Sequence, residues 1–172
     1  TMRSAYGQVA KGFWKGRTFA TNKPQFIANL IDGWREHEST LVWCLYDKEQ
    51  EMVSAAVGGE SMYGKTPMKV RIGMIDRFKQ CESDTLISKG KILGFGLNLQ
   101  VATRQVFSGL QDSYESYYQS VKRSNRIGST KPLNVHIPVT EIEEPMVENV
   151  LRKARRVESD TREQEHLFAM SR

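Results

Sequence analysis

Cysteine and histidine are nearly missing from this chain: 172 residues hold two cysteines, Cys44 and Cys81, and three histidines. So few ligands, at no recognisable spacing, exclude a zinc cluster, and redox chemistry falls away with it. No apolar run approaches the roughly 18 residues that span a bilayer. No basic-then-apolar leader opens the chain either, so a cytoplasmic protein without membrane contact is expected. Internal repeats and low-complexity stretches are also lacking. What is present is an ordinary globular balance, 39% hydrophobic and 26% charged, which excludes a wholly disordered chain. The length suffices to bury one continuous core without a staple. One domain, or one domain with an appended helix, follows.

Charge is clustered rather than spread. Lysine and arginine number 25 against 20 acidic residues, a net +5, which favours an anionic partner such as nucleic acid or a nucleotide. Residues 1–17 carry Arg3, Lys11, Lys15 and Arg17 and no acid. Residues 121–131 carry Lys122, Arg123, Arg126 and Lys131, again with none. The following stretch is acidic, with Glu141, Glu143, Glu144 and Glu148.

Along the chain, 1–22 reads as an irregular basic lead-in that packs through Tyr6, Phe13 and Trp14. From Pro24 the spacing predicts a helix capped by Asn22, with Phe26, Ile27, Leu30, Ile31 and Trp34 on one face. Leu41–Tyr46 is apolar without alternation, as in a buried parallel strand. Asp47 then opens a helix with Met52, Val53, Ala56 and Val57 inward. Ser61–Tyr63 reads as a short strand, and Pro67–Gln80 as a helix burying Val70, Met74, Ile75 and Phe78. Thr85–Ser88 and Gln105–Phe107 read as strands, and Ser113–Ser124 as a helix with Tyr114, Tyr117, Tyr118 and Val121 inward. Leu133–Val139 alternates as a strand does, and Pro145–Met170 is a charged helix with a candidate interruption at Ser159–Asp160. Strands alternating with helices predict an α/β domain with a mainly parallel sheet and helices on both faces. The body spans 23–144, followed by a C-terminal helix over 145–172. There Arg152, Lys153, Arg155 and Arg156 interleave with Glu148, Glu158, Glu163 and Glu165. Mixed charge at that spacing marks a solvated face and favours a brace across the lobe over a DNA-binding stripe.

One motif matches literally and fits badly. Gly59 through Gly64-Lys65-Thr66 satisfies GxxxxGK[ST], the loop whose backbone N–H groups and lysine surround phosphates. A strand should run into its first glycine, yet 48–57 reads as a helix. Pro67 also biases Thr66 away from the helical angles that the loop requires. A self-contained phosphate-loop NTPase or kinase therefore stands as the alternative.

Three other pieces cohere better. Ile87-Ser88-Lys89 leads to Gly94-x-Gly96-Leu97-Asn98-Leu99, placing glycines beyond a buried strand, where open α/β sheets bind ligands; alone, it is also an ordinary turn. Gln119-x-x-x-Arg123-x-x-Arg126-Ile127-Gly128 ends a helix, with arginines able to neutralise charge on a transferring phosphoryl group; alone, it is also a solvated basic helix end. Tyr63-Gly64-Lys65-Thr66, followed by Arg71 and Phe78, sets small polar groups at a strand-to-helix turn, a seat for phosphate; alone, it is also a capped turn.

In this order the pieces resemble the second RecA-like lobe of superfamily-two helicases and translocases, of the Swi/Snf type with its bacterial and phage members, from about Lys23 to Lys153. Leu41–Leu45 resembles the motif IV strand, Gly64-x-Thr66 with Arg71 and Phe78 the segment after it, 87–99 motif V, and Gln119–Pro132 motif VI. The chain departs from the family pattern at Lys122, where an acid is common, at Asn125, where a histidine is common, and over Ser108–Tyr114. The resemblance implies a RecA-like three-layer lobe whose partners are DNA and an N-terminal RecA-like lobe, in the same or a separate chain. It implies ATP with Mg²⁺, bound mainly by that first lobe, and a chain inactive as an ATPase alone. Arg126, with Arg123 beside it, becomes the arginine-finger pair. Gln119, Gly94, Gly96 and Asn98 become the nucleotide-side residues, and Lys65, Thr66, Ser88 and Lys89 contact the DNA backbone. No metal ligand is implied on this lobe. A non-motor nucleic-acid-binding module of helicase ancestry is the other reading.

Overall fold

The computed structural model describes residues 2–34, 38–93, 97–110, 114–125 and 130–170, with backbone alone at residues 3 and 165–169. Met2–Ala10 (α1) is a helix, where the sequence reads as irregular. Its buried positions are the small residues Gly7 and Ala10, followed by Lys11, so no stripe of large apolar residues betrays it. Phe13–Trp14 (β1) and Arg17–Thr18 (β2) form an antiparallel hairpin. Its two turn residues, Lys15 and Gly16, have φ of 45° and 76°, as the twist of a two-residue hairpin demands. Of the aromatics expected to anchor this segment, Phe13 packs edge-on against Tyr46, while Tyr6 and Trp14 stay exposed.

Lys23–Asp32 (α2) has Pro24 in its first turn and Asn22 at the N-cap without a side-chain capping bond. Ile27 and Ala28 are buried but Phe26 is 55% exposed, so the apolar face is narrower than the sequence suggests. Then follow Thr40–Cys44 (β3), Asp47–Val57 (α3), Glu60–Met62 (β4), Met68–Lys79 (α4), Thr85–Lys89 (β5), Arg104–Phe107 (β6), Tyr114–Val121 (α5), Asn134–His136 (β7) and Glu144–Met170 (α6). Val70 and Tyr118, read as inward, are exposed. α6 runs through Ser159–Asp160 without a break. Val147 and Val150 bury its first part, whereas residues 155–164 are exposed, so the helix is anchored to the lobe through its first turns. Among the described residues, no helix is long and apolar enough to cross a membrane.

The sheet order is β4-β5-β3-β6-β7, and every pairing in it is parallel. Alternation along the fully buried β3 builds both core layers. Leu41 and Trp43 join Phe78, Val147 and Val150 on one face. Val42 and Cys44 join Ile27 and Val53 on the other. Helices on both faces of a parallel sheet make this a three-layer, RecA-like lobe. The chain leaves β3 for β4 and β5 on one side, then crosses to β6 and β7 on the other. Such a reversal opens a crevice at the carboxyl ends of the central strands.

Candidate functional site

A cleft of about 530 Å³ lies at that crevice. The carboxyl ends of the three central strands and the residues just after them line it: Cys44 and Leu45, Lys89 and Gly90, Phe107 and Gly109. Trp43, Phe107 and Tyr117 give it aromatic walls, and Lys89, Gln119 and Arg123 face it together. The sheet thus gathers three of the expected site residues from segments 30 residues or more apart in two cases.

Arg123 is the best-held of them. It is 6% exposed, its guanidinium lies 5.8 Å from the centre of the Trp43 ring, and Nη2 donates to the Gly90 carbonyl at 3.4 Å. The Leu99 N–H donates to the Arg123 carbonyl at 2.9 Å. The glycine-rich segment and the arginine segment are therefore joined directly, backbone to backbone. Lys89 pairs with the Asp47 carboxylate. Asn98 is exposed and folds back on its own turn, its Oδ1 accepting the Gln100 N–H at 3.1 Å; it is not on the cleft lining. Gly94, Gly96 and Arg126 lie outside the described residues.

The turn after β4 is tightly organised. The Thr66 hydroxyl accepts the Tyr63 N–H at 3.0 Å, and Arg71 donates to the carbonyls of Thr66 and Gly64. Lys65 projects outward, its ammonium 5.9 Å from the Tyr63 ring, and Gly64 sits on the rim of the cleft. Ser88 needs a correction. It is fully buried and spends its hydroxyl on the Met62 carbonyl at 3.0 Å, a strand-to-strand tie rather than a contact for DNA.

The phosphate-loop pattern dissolves in the same region. Its variable positions contain β4, paired with β5 from Glu60 to Met62, so the segment is extended where a cradle would curl. Gly59 has φ of 80°, and a Cβ there would lie 2.9 Å from the Thr85 carbonyl. That glycine serves chain packing.

The cleft suits a phosphate tail better than a metal. Basic and hydrogen-bonding groups line it, whereas Glu115 is the sole carboxylate among its lining residues. Among the described residues, no group of three or more His, Cys, Asp or Glu could hold a metal ion. Lys89, Lys91, Gln119 and Arg123 are the lining groups whose chemistry suits a phosphate. Sequence reading missed Trp43, Phe107 and Gln105. The available signal was Gln105 itself, an amide inside a strand otherwise read as core.

Fold and cleft together define a RecA-like lobe with a phosphate-compatible crevice. Residues 22–128 match the helicase conserved C-terminal domain family, and the chain belongs to that family. It is similar to Protein CHROMATIN REMODELING 8 of Arabidopsis thaliana, 26% identical over 134 residues that cover 73% of this chain and 11% of that protein. The chain thus spans about a tenth of the curated relative it matches. Among solved structures, the C-terminal part of the Fun30 ATPase domain has a TM-score of 0.65 at 21% identity, covering 76% of this chain and 45% of that one. The C-terminal domain of the DEAD-box protein Dbp5 has a TM-score of 0.62 at 17% identity, covering 77% and 78%.

Proposed function

We propose that the chain works as the second motor lobe of an ATP-dependent DNA translocase or helicase of the Swi/Snf type. The observation that carries this reading is the convergence of Lys89, Gln119 and Arg123 on one cleft at the carboxyl ends of the parallel strands. The relative named for chromatin remodelling and the likeness to a Fun30 ATPase domain support the branch. ATP supplies the cleavable phosphoanhydride and the charge that draws two lobes together. This lobe contributes arginines and a DNA-facing edge. Arg126 is the finger that neutralises charge on the transferring phosphoryl group. Arg123, held on Trp43 in the cleft wall, fixes the segment from which Arg126 departs. Lys65 and Thr66 contact the DNA backbone, with Lys89 beside the cleft. Such contacts give sequence-independent, salt-dependent affinity, which suits a motor that moves along DNA. Gly94, Gly96 and Asn98 couple nucleotide state to that edge through the Leu99–Arg123 bond.

The test is steady-state ATP turnover of the complete two-lobe protein carrying Arg126→Ala. Turnover is expected to fall by roughly 10³-fold or more, as removal of arginine fingers does elsewhere. Turnover within a few fold of wild type would remove Arg126 from this role; no DNA-stimulated turnover in the wild-type two-lobe protein would remove the motor reading.

A further inference from the structure

Gln105 stands alone in its setting: a fully buried amide in the middle of a parallel sheet, on β6, with every hydrogen-bonding group of its side chain engaged. The Trp43 indole donates to its Oε1 at 3.0 Å. Its Nε2 donates to the Ser120 carbonyl at 3.1 Å and to the Ser124 hydroxyl at 2.9 Å. An indole N–H can only donate, so the amide oxygen must face Trp43 and the NH₂ must face α5. The orientation is thereby fixed by chemistry.

The two acceptors bracket Arg123. Ser120 is three residues before it and Ser124 one after, at the point where α5 ends. The Ser120 carbonyl belongs to the last turn of the helix, where carbonyls lack regular helical partners; here it takes the Arg123 N–H at 3.3 Å together with the Gln105 amide. At the other end of the relay, Trp43 presents its ring to the Arg123 guanidinium. One amide therefore sets both the backbone from which Arg123 projects and the aromatic surface on which its side chain rests. We infer that Gln105 is a positioning residue for the arginine segment, holding the end of α5 to the sheet so that Arg123 keeps a fixed approach to the cleft. The inference rests on the motor reading above.

The experiment compares wild type, Gln105→Met, Ser124→Ala and Arg126→Ala in the complete two-lobe protein. It reads kcat and KM for ATP, DNA affinity, and peptide-level hydrogen exchange. Methionine keeps the side chain's length and removes the relay. It is expected to lower kcat by about ten- to a hundredfold, the scale of a misplacement near 1 Å, while KM and DNA affinity stay within about twofold, the remainder of the site being left intact. Exchange should quicken in peptides over 97–101 and 120–125, because the Leu99 N–H loses a fixed Arg123 carbonyl, while β3 and β5 stay protected. Ser124→Ala removes one of the two acceptors and should show the same pattern at a fraction of the size; it decides the matter if Gln105→Met fails to fold. Unchanged kcat with unchanged local exchange overturns the inference, as does loosening spread over the whole sheet. If the wild-type two-lobe protein shows no DNA-stimulated turnover, the motor reading has failed. If Arg126→Ala abolishes turnover and Gln105→Met does not, only the positioning role has.

Discussion

Two ammonium groups, from Lys11 and Lys23, converge on the Glu143 carboxylate, and all three side chains are buried. Lys23 Nζ lies 2.5 Å from Oε2, and the same oxygen accepts the Thr140 N–H and hydroxyl at 3.2 and 3.1 Å. Lys11 also donates to the Gly7 carbonyl, so this one carboxylate ties α1 and α2 to the approach of α6. Gly109 shows how tightly the junction is packed: a Cβ there would meet Lys11 Cε at 2.4 Å and Glu49 Oε1 at 2.8 Å. Burial by itself would raise the Glu143 carboxyl, but the charges and hydrogen bonds of Lys11 and Lys23 bring it below its ordinary value of 4.5. A carboxyl depressed on folding contributes stability that is complete above the unfolded value and is lost as pH falls through the folded one. Glu143→Gln strands two buried ammoniums and should cost about 3–5 kcal/mol, the usual scale for breaking a buried pair. Urea unfolding at pH 7 measures that loss. The same titration repeated from pH 6 down to pH 3 should show a shallower acid decline in Glu143→Gln than in wild type. Equal stability of the two proteins at pH 7 would mean that the junction contributes nothing.

Among the elements, the turn between β4 and α4 carries the DNA-facing proposal, and it does so through an internal scaffold. Arg71 donates to the turn's carbonyls and the Thr66 oxygen accepts the Tyr63 N–H, which leaves the Lys65 ammonium as the turn's outward charge, with the Thr66 O–H as a second donor. Lys65→Ala should weaken DNA binding on all sequences alike and reduce the slope of log affinity against log salt by about one, with KM for ATP unchanged. Fluorescence titration at several salt concentrations checks this; an unchanged slope would take Lys65 off the DNA. What the sequence made legible follows the size of the buried side chains. β3 and α3 were readable because their apolar residues are large and contiguous or regularly spaced. α1 was not, because Gly7 and Ala10 bury without any hydrophobic signal. The phosphate-loop pattern, already a poor fit in sequence, matches at one level only: its four fixed positions recur at the right spacing, but a strand occupies the interval. Of the site, Gln119, Arg123 and Lys89 were legible as residue types next to turns. Ser88 was misread, since a hydroxyl pointing across to a neighbouring strand leaves no trace in the local sequence. Gln105 showed only as an amide out of place in an apolar strand; its partners, 62, 15 and 19 positions away, left no local trace.

At the scale of the whole molecule, the proposed motor reading makes the cleft one half of an ATP site. It has cations and amides for a phosphate tail, and a single carboxylate among its lining residues. The one segment resembling a phosphate loop is built into the edge of the sheet through β4. Hydrolysis needs a metal-bound triphosphate and an oriented water as well as arginines, and among the described residues no group of three or more His, Cys, Asp or Glu could hold the metal. Mutual closure of two lobes supplies them only if ATP binds the closed state more tightly than the open one, because a ligand shifts an equilibrium by no more than its differential affinity. The 172-residue chain by itself is therefore expected to show no ATP turnover above the uncatalysed background, with or without DNA, while a first lobe added in cis restores DNA-stimulated hydrolysis. A coupled phosphate-release assay on the chain alone makes the comparison. Turnover there that vanishes with Lys65→Ala would return the reaction to the Gly59–Thr66 segment, against the strand that now fills it. Turnover that survives Lys65→Ala and vanishes with Arg123→Ala would instead make the cleft a complete site in one lobe.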